Sequence, residues 1–205
     1  MVNSDKTTQS GLTELFPQSW MDGLYKYLCL EPSLPESEQP INVCQLLQDA
    51  IGTTEELQFR NILPADVTLT LSSDHFCRPD GKIFLPLGTP HAMPVVTYLN
   101  SAEEDPVAFV PTLLHDSSEP CFIWSKDWPS ITGETHNQPI TVTYRAGYKT
   151  FSKVPNSTLA ALKVYCKAHF NPDDDKKTED LPEAYYTHVN MNCLDHQVLV
   201  RMLTV

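Results

Sequence analysis

Residues 140–170 read ITVTYRAGYKTFSKVPNSTLAALKVYCKAHF, and they set a strand against a helix within one short stretch. Ile140, Val142 and Tyr144 alternate with Thr141, Thr143 and Arg145, the period-two pattern of a half-buried strand. Gly147 closes that run, where a left-handed or closely packed backbone costs little. Val154-Pro155 then opens a helix, because a proline in the first turn lacks an N–H that needed no partner there. Leu159, Leu162, Cys166 and Phe170 recur at helical spacing as one apolar stripe. Asn171-Pro172 stops it. The unit predicts an α+β chain.

Working upstream, the period-two signal recurs. VTLTLSS alternates Val67, Leu69 and Leu71 with threonines, and Asp80-Gly81 is a turn signal. KIFLPL (82–87), PVVTYL (94–99), VAFV (107–110), CFIW (121–124) and PITVTY (139–144) read as further strands. Residues 66–146 therefore predict a small antiparallel β subdomain. Before it the spacing is helical. Leu12, Leu15, Phe16, Trp20, Leu24, Tyr27 and Leu28 predict a short helical turn, broken by Pro17, then a helix from about 19 to 30 with Ser19 as N-cap and Asp22 three residues on. EPSLPESEQP (31–40) is a connection. Asn42 and Gln45 have capping-box spacing, and Val43, Leu46, Leu47, Ala50 and Ile51 line one face. Gly52 marks a break, and Thr54 caps a further turn carrying Leu57. Residues 1–10 are polar and predict an unordered start.

Downstream, NPDDDKKTEDLP (171–182) is a charged linker. The segment from 183 starts polar and ends LDHQVLVRMLTV, where Leu194, Val198, Leu199, Met202 and Leu203 could form a short amphipathic helix or a strand for a neighbour. Such a terminus either docks back on its own core or meets a partner. The domain plan is a helical segment (1–65), the β subdomain (66–146), a helix completing the helical body (147–171), and a linker with C-terminal tail (172–205). The fold class is thus a small helical bundle with an inserted antiparallel β subdomain and an extended C-terminal tail.

Composition narrows the functions. Of 205 residues, 14 are Lys or Arg and 26 are Asp or Glu, a net charge of −12. Tight free binding to nucleic acid rests on a basic surface that displaces counterions from phosphates, and this balance argues against it. A channel through which DNA slides without sticking is compatible with it. No apolar run approaches the roughly 20 residues that span a bilayer, and the polar start MVNSDKTTQS predicts no signal peptide. The six cysteines form no C-x-x-C pair and predict separate buried thiols in a reducing compartment. A soluble protein made in a cytosol is expected.

The chain lacks a phosphate loop, a G-x-G-x-x-G, a G-x-S-x-G and an H-E-x-x-H. His188 and His196 could share a face, but surface or helix-end histidines explain them more simply. Asp173-Asp174-Asp175 lacks the glycine and terminal glutamate of a calcium loop and reads as solvated linker. His75 and Cys77 are near in sequence, yet nucleophile and base usually come from separate rigid elements. Glu55-Glu56 and Glu103-Glu104 read as exposed turn or helix residues. No catalytic, cofactor-binding or metal-binding residue is assigned, no cofactor is expected, and the chain is not read as an enzyme.

Four segments, in order, carry a resemblance. VTLTLSSDHFCRPDGKIFLPLGTP, MPVVTYLNSAEE, the run from Trp128-Pro129 to ITVTYRAGY, and VPNSTLAALKVYCKAHF resemble the head–tail connector (adaptor) proteins of tailed bacteriophages, over a little more than half the chain. The break at Gly52 and the early stop at Asn171-Pro172 depart from that pattern. The resemblance implies a structural virion protein made in the host cytoplasm. About twelve copies would form a ring below the portal protein, above a neck or tail-completion protein, around a channel that DNA crosses without sequence-specific binding. Ring assembly of this kind is head-to-tail. No membrane contact is implied. Leu194, Val198, Leu199, Met202 and Leu203 become candidates for a portal-docking arm, and Arg145 and Tyr148 for a subunit boundary. The alternatives are another neck or tail-completion protein, an enzyme with an unrecognised site, or a host-derived interaction module.

Overall fold

The structure, a computed structural model, describes residues 2–5, 8–30, 42–76, 80–99, 105–116, 121–131, 139–170 and 181–191; up to residue 11 only the backbone is described. The chain divides into two compact units. One comprises residues 2–5 and 64–147, the other 8–63 and 148–191. Helices and antiparallel sheets are both present, as the sequence predicts for an α+β chain.

Among the described residues the first unit is built of β-strands, with one short 3-10 turn at Ser73–His75. Its strands are β1 (Val2–Asp5), β2 (Ala65–Leu71), β3 (Lys82–Phe84), β4 (Val95–Tyr98), β5 (Val107–Phe109), β6 (Leu113–His115), β7 (Phe122–Trp124) and β8 (Ile140–Ala146). A five-stranded sheet runs β1-β2-β8-β4-β5 and a three-stranded one β3-β7-β6. The two long strands that begin and end the β region pair with each other, Ala65 opposite Ala146 and Leu71 opposite Ile140. The chain therefore enters and leaves this region at neighbouring points, as an insertion requires. Directly opposed residues share a face, so Val67, Leu69, Tyr144, Val142 and Val96 all point into one core. Ile83, Leu85 and Ile123, from β3, its extension and β7, fill it from the smaller sheet.

Local chemistry fixes the turns. Gly81 has φ +61°, and a Cβ there would sit 2.8 Å from the Ser125 carbonyl oxygen. That carbonyl belongs to the segment whose Trp128 indole Nε1–H donates to Gly81 O at 2.9 Å. Gly147, at φ +107°, ends β8 in the conformation the sequence reserved for it. The buried Tyr144 hydroxyl donates to the Pro86 carbonyl, which ties the Leu-Pro segment after β3 to β8. Burial pushes the Tyr144 phenol up, with Cys121 a smaller contributor, so it stays a neutral donor.

The second unit is helical: α1 (Thr8–Leu15), α2 (Gln18–Tyr27), α3 (Val43–Gln58), α4 (Asn156–His169) and α5 (Glu183–Asn190). Its core joins Leu12, Leu15 and Phe16 of the first helix and its end, Leu24 of α2, the α3 face from Val43 to Ile51, and Leu162 and Cys166 of α4. Asn42 is the N-cap of α3, its Oδ1 accepting from Gln45 N–H at 2.9 Å. The reciprocal half of the box is not made, because the Gln45 side chain donates to Asp49 instead.

Several local expectations are corrected. Residues 2–5 are a strand paired with β2, and α1 starts at Thr8, so the polar start is not wholly unordered. Pro17, not Ser19, occupies the N-cap of α2. Its carbonyl accepts from Trp20 and Met21, and Asp22 takes the Gln18 amide rather than closing a capping box. Gly52 does not break α3. The helix runs through it because the buried face on both sides, from Ala50 and Ile51 to Thr54 and Gln58, keeps one period. Thr54 is accordingly not a cap but a buried helix-interior residue, back-bonded to the Ala50 carbonyl at 2.7 Å. Glu55 is likewise buried rather than exposed. Pro155 takes the N-cap position before α4 instead of its first turn. Strand β6 lies where the sequence showed no separate strand.

Candidate interaction surfaces

The turn after α3 shows what the buried polar residues do. Phe59 caps the helix in the left-handed region, φ +52°. The Glu55 carboxylate then accepts from the backbone N–H groups of Ile62 (2.7 Å) and Leu63 (3.0 Å), folding residues 60–63 back onto the helix. Arg60 Nη1 donates to the Tyr148 hydroxyl at 2.8 Å with its guanidinium 5.9 Å from that ring. Tyr148 N–H bonds the Ile62 carbonyl at 3.1 Å. So Tyr148, a sequence candidate for a subunit boundary, is half-buried and holds the start of the return segment against the helical core. Arg145, the other candidate, is exposed on the outer face of β8, directly opposite Asp66 of β2, an opposite-charge cross-strand pair.

Helix α5 falls inside the segment the sequence assigned to linker and tail. Its Tyr185 is fully buried and its Val189 is 1% exposed, packed with Ala161 of α4. Thr54 and the Tyr185 hydroxyl are 3.0 Å apart, and Gln58 Nε2 donates to the Val189 carbonyl at 3.2 Å. The apolar stripe of α4 is thus broader than its Leu159–Leu162–Cys166–Phe170 reading, since Thr158 and Ala161 are buried as well. Leu194, Val198, Leu199, Met202 and Leu203 lie outside the described residues.

No constellation suited to acid–base or nucleophilic chemistry is assembled among the described residues. His75 is buried with its Nδ1 3.2 Å from the Ser72 hydroxyl, while Cys77 is outside the described residues. Likewise His188 is described and His196 is not. Among the described residues no three His, Cys, Asp or Glu side chains gather closely enough to hold a metal ion. Nor is any described helix long and apolar enough to cross a membrane. The thiols are not uniformly buried: Cys121 and Cys166 are, Cys44 is half-buried and Cys29 is exposed. Burial pushes the Cys166 thiol up to about 12, the wrong direction for a nucleophile.

What the surfaces offer is contact. On the sheet unit, Val110 (79% exposed) follows the edge strand β5, and Val95 (57%) on the inner strand β4 joins Thr68, Thr97, Thr141 and Thr143 in a β-branched outer face. Pro106 and Pro111 bracket the short edge strand β5, a common protection against indiscriminate strand pairing. On the helical unit, a groove of about 330 Å³ is lined by Leu12, Phe16, Pro17, Met21, Tyr25 and Cys44 among others. Sequence reasoning named none of these surfaces. The alternation of Val95 and Thr97 signals one outward face, but its exposure depends on what covers it.

No family model matches the chain, and no curated protein matches it in sequence. Solved structures do match its fold. A chain from the neck of an empty gene transfer agent (GTA) particle, computed with C6 symmetry, superposes with a TM-score of 0.69 at 12% identity, over 94% of this chain and 95% of that one. A chain of the native GTA virion gives 0.66 at 13%, again over 94% and 95%. One from the neck of the native particle, computed with C12 symmetry, gives 0.62 at 16%, over 94% of each. The protein therefore shares, over nearly its whole length, the fold of chains found in GTA neck and virion particles.

Proposed function

We propose that this protein is a structural neck component of a phage-like particle, acting by assembly and not by catalysis. The observation that carries the reading is the end-to-end fold match to GTA neck chains. It coincides with the four ordered segments that resemble head–tail connectors, found in the sequence independently of any fold. The C6 and C12 symmetries of the neighbouring particles favour a multi-copy ring, built head-to-tail and closed by rotation. In the finer form of the proposal, about twelve copies sit below the portal protein and above a neck or tail-completion protein. They line a channel that DNA traverses without being read, and the chain is made in the host cytoplasm before incorporation into the virion.

Within that reading, Leu194, Val198, Leu199, Met202 and Leu203 are the proposed portal-docking arm, a short segment that orders on contact. Because α5 is packed into the helical unit, the arm starts after it and not at residue 183. Arg145 remains a proposed boundary residue through its exposed guanidinium, and Tyr148 acts there by holding the 60–63 turn. The test is a particle preparation from cells lacking the gene. Heads that package DNA but carry no tails, rescued by the full chain and not by a chain truncated after 193, are expected. Complete infectious or transducing particles without the protein would refute the reading.

A further inference from the structure

The stretch from Ile140 to Phe170 carries Arg145, Lys149, Lys153, Lys163 and Lys167 and not one Asp or Glu, in a chain of net charge −12 whose 26 acidic side chains all lie elsewhere. The fold concentrates part of it. Lys163 and Lys167 are one turn apart on α4, so they share a flank. That flank is the one beside α2: Lys163 Nζ stands 5.8 Å from the Trp20 ring centre and Lys167 Nζ 5.0 Å from that of Tyr27. Trp20 and Tyr27 are themselves two turns apart on α2. Phe151, in the short turn that also carries the exposed Lys153, has its ring centre 6.2 Å from that of Trp20. Among the described residues no carboxylate pairs with Lys153, Lys163 or Lys167. Gly23, between the two rings in sequence, leaves the space beside it open.

We infer that this lysine–aromatic strip on α2 and α4 is an interface that receives the acidic surface of a second copy of the chain. Copies that each carry a charge of −12 repel one another. Their association needs a contact at which the sign is inverted on one side only, which is the arrangement a head-to-tail interface provides. The rings under the ammonium groups hold the lysines in place and so lower the ordering cost of the contact. DNA is the weaker occupant, since a duplex approaching the strip also meets the field of the surrounding acidic surface. The choice of occupant rests on the multi-copy reading above; the strip itself does not.

The test uses the full-length chain in sedimentation velocity at low and at high salt. Wild type is expected to self-associate at low salt and to dissociate as salt screens the contact. K163E/K167E should weaken association at least tenfold, the charge-removing K163Q/K167Q less, and K82E/K126E, which makes the same change in net charge on the sheet unit, little. Unchanged far-UV ellipticity certifies the fold of each variant. Association that K163E/K167E leaves intact overturns the inference, as does equal weakening by K82E/K126E or a wild type monomeric at every salt concentration. So does binding of a fluorescent DNA duplex lost in K163E/K167E while self-association persists. The neck reading stands or falls separately, on whether the protein is found in the necks of purified particles.

Discussion

Replacing Tyr185 by alanine tests whether α5 belongs to the helical body. The Tyr185 ring is fully buried, with Ala161 and Val189 around it and the Tyr165 ring centre 5.8 Å away. Removing a buried aromatic ring costs about 3–5 kcal/mol in transfer free energy and residual cavity. The hydroxyl can be separated from the ring. Thr54 has one hydroxyl proton, and it goes to the Ala50 carbonyl at 2.7 Å, so the 3.0 Å contact is a bond donated by Tyr185 to Thr54 Oγ1. Tyr185→Phe keeps the ring and loses that bond, for about 1 kcal/mol. The α-helices among the described residues belong to the helical unit, so urea unfolding followed by far-UV ellipticity reports chiefly on it. Burial raises the phenol above its ordinary value of about 10. Folding thus favours the neutral phenol: stability is unaffected below pH about 10 and falls as pH rises beyond it, a decline that Tyr185→Phe should remove. A Tyr185→Ala loss under about 1 kcal/mol, no larger than that of Tyr185→Phe, would refute the docking of α5.

Other perturbations test the remaining local readings. Gly52→Ala should stabilise the helical unit by about 1 kcal/mol, since a Cβ there meets nothing within 4 Å and the helix is continuous; a loss in urea midpoint would contradict it. Glu55→Gln keeps one acceptor for the Ile62 and Leu63 amides and Glu55→Ala keeps none, so the alanine variant should lose the more, on the order of 1–3 kcal/mol, by the same unfolding assay. Cys29 should alkylate readily in the native protein while Cys166, buried and with its thiol pushed up to about 12, reacts only on unfolding. Peptide mass spectrometry after a timed pulse distinguishes them, and equal labelling would sink the assignment.

The boundaries between what was legible and what was not follow the range of the interactions. Strand β8, its end at Gly147 and the helix after Pro155 are written in residues next to one another, and the structure reproduces them with small shifts at the ends. The cap at Asn42 is equally local. Gly52 misled because a glycine weakens a helix by only about 1 kcal/mol, and the burial of the face around it outweighs that. α5 was hidden because only Tyr185 and Val189 of its eight residues are buried, too few for a clear period.

The sequence by itself determined the α+β class, the insertion of a β region between helices, the absence of familiar catalytic motifs, and the charge segregation of residues 140–170. Those properties reside in composition and short-range periodicity. Only the tertiary structure decided that Glu55 and Thr54 are buried, that α5 packs on α4, and that Lys163 and Lys167 reach Trp20 and Tyr27. Each of these depends on contacts between residues far apart in the chain. A pattern read along one segment records which face is apolar, whereas the identity of what covers that face is settled when the segments meet.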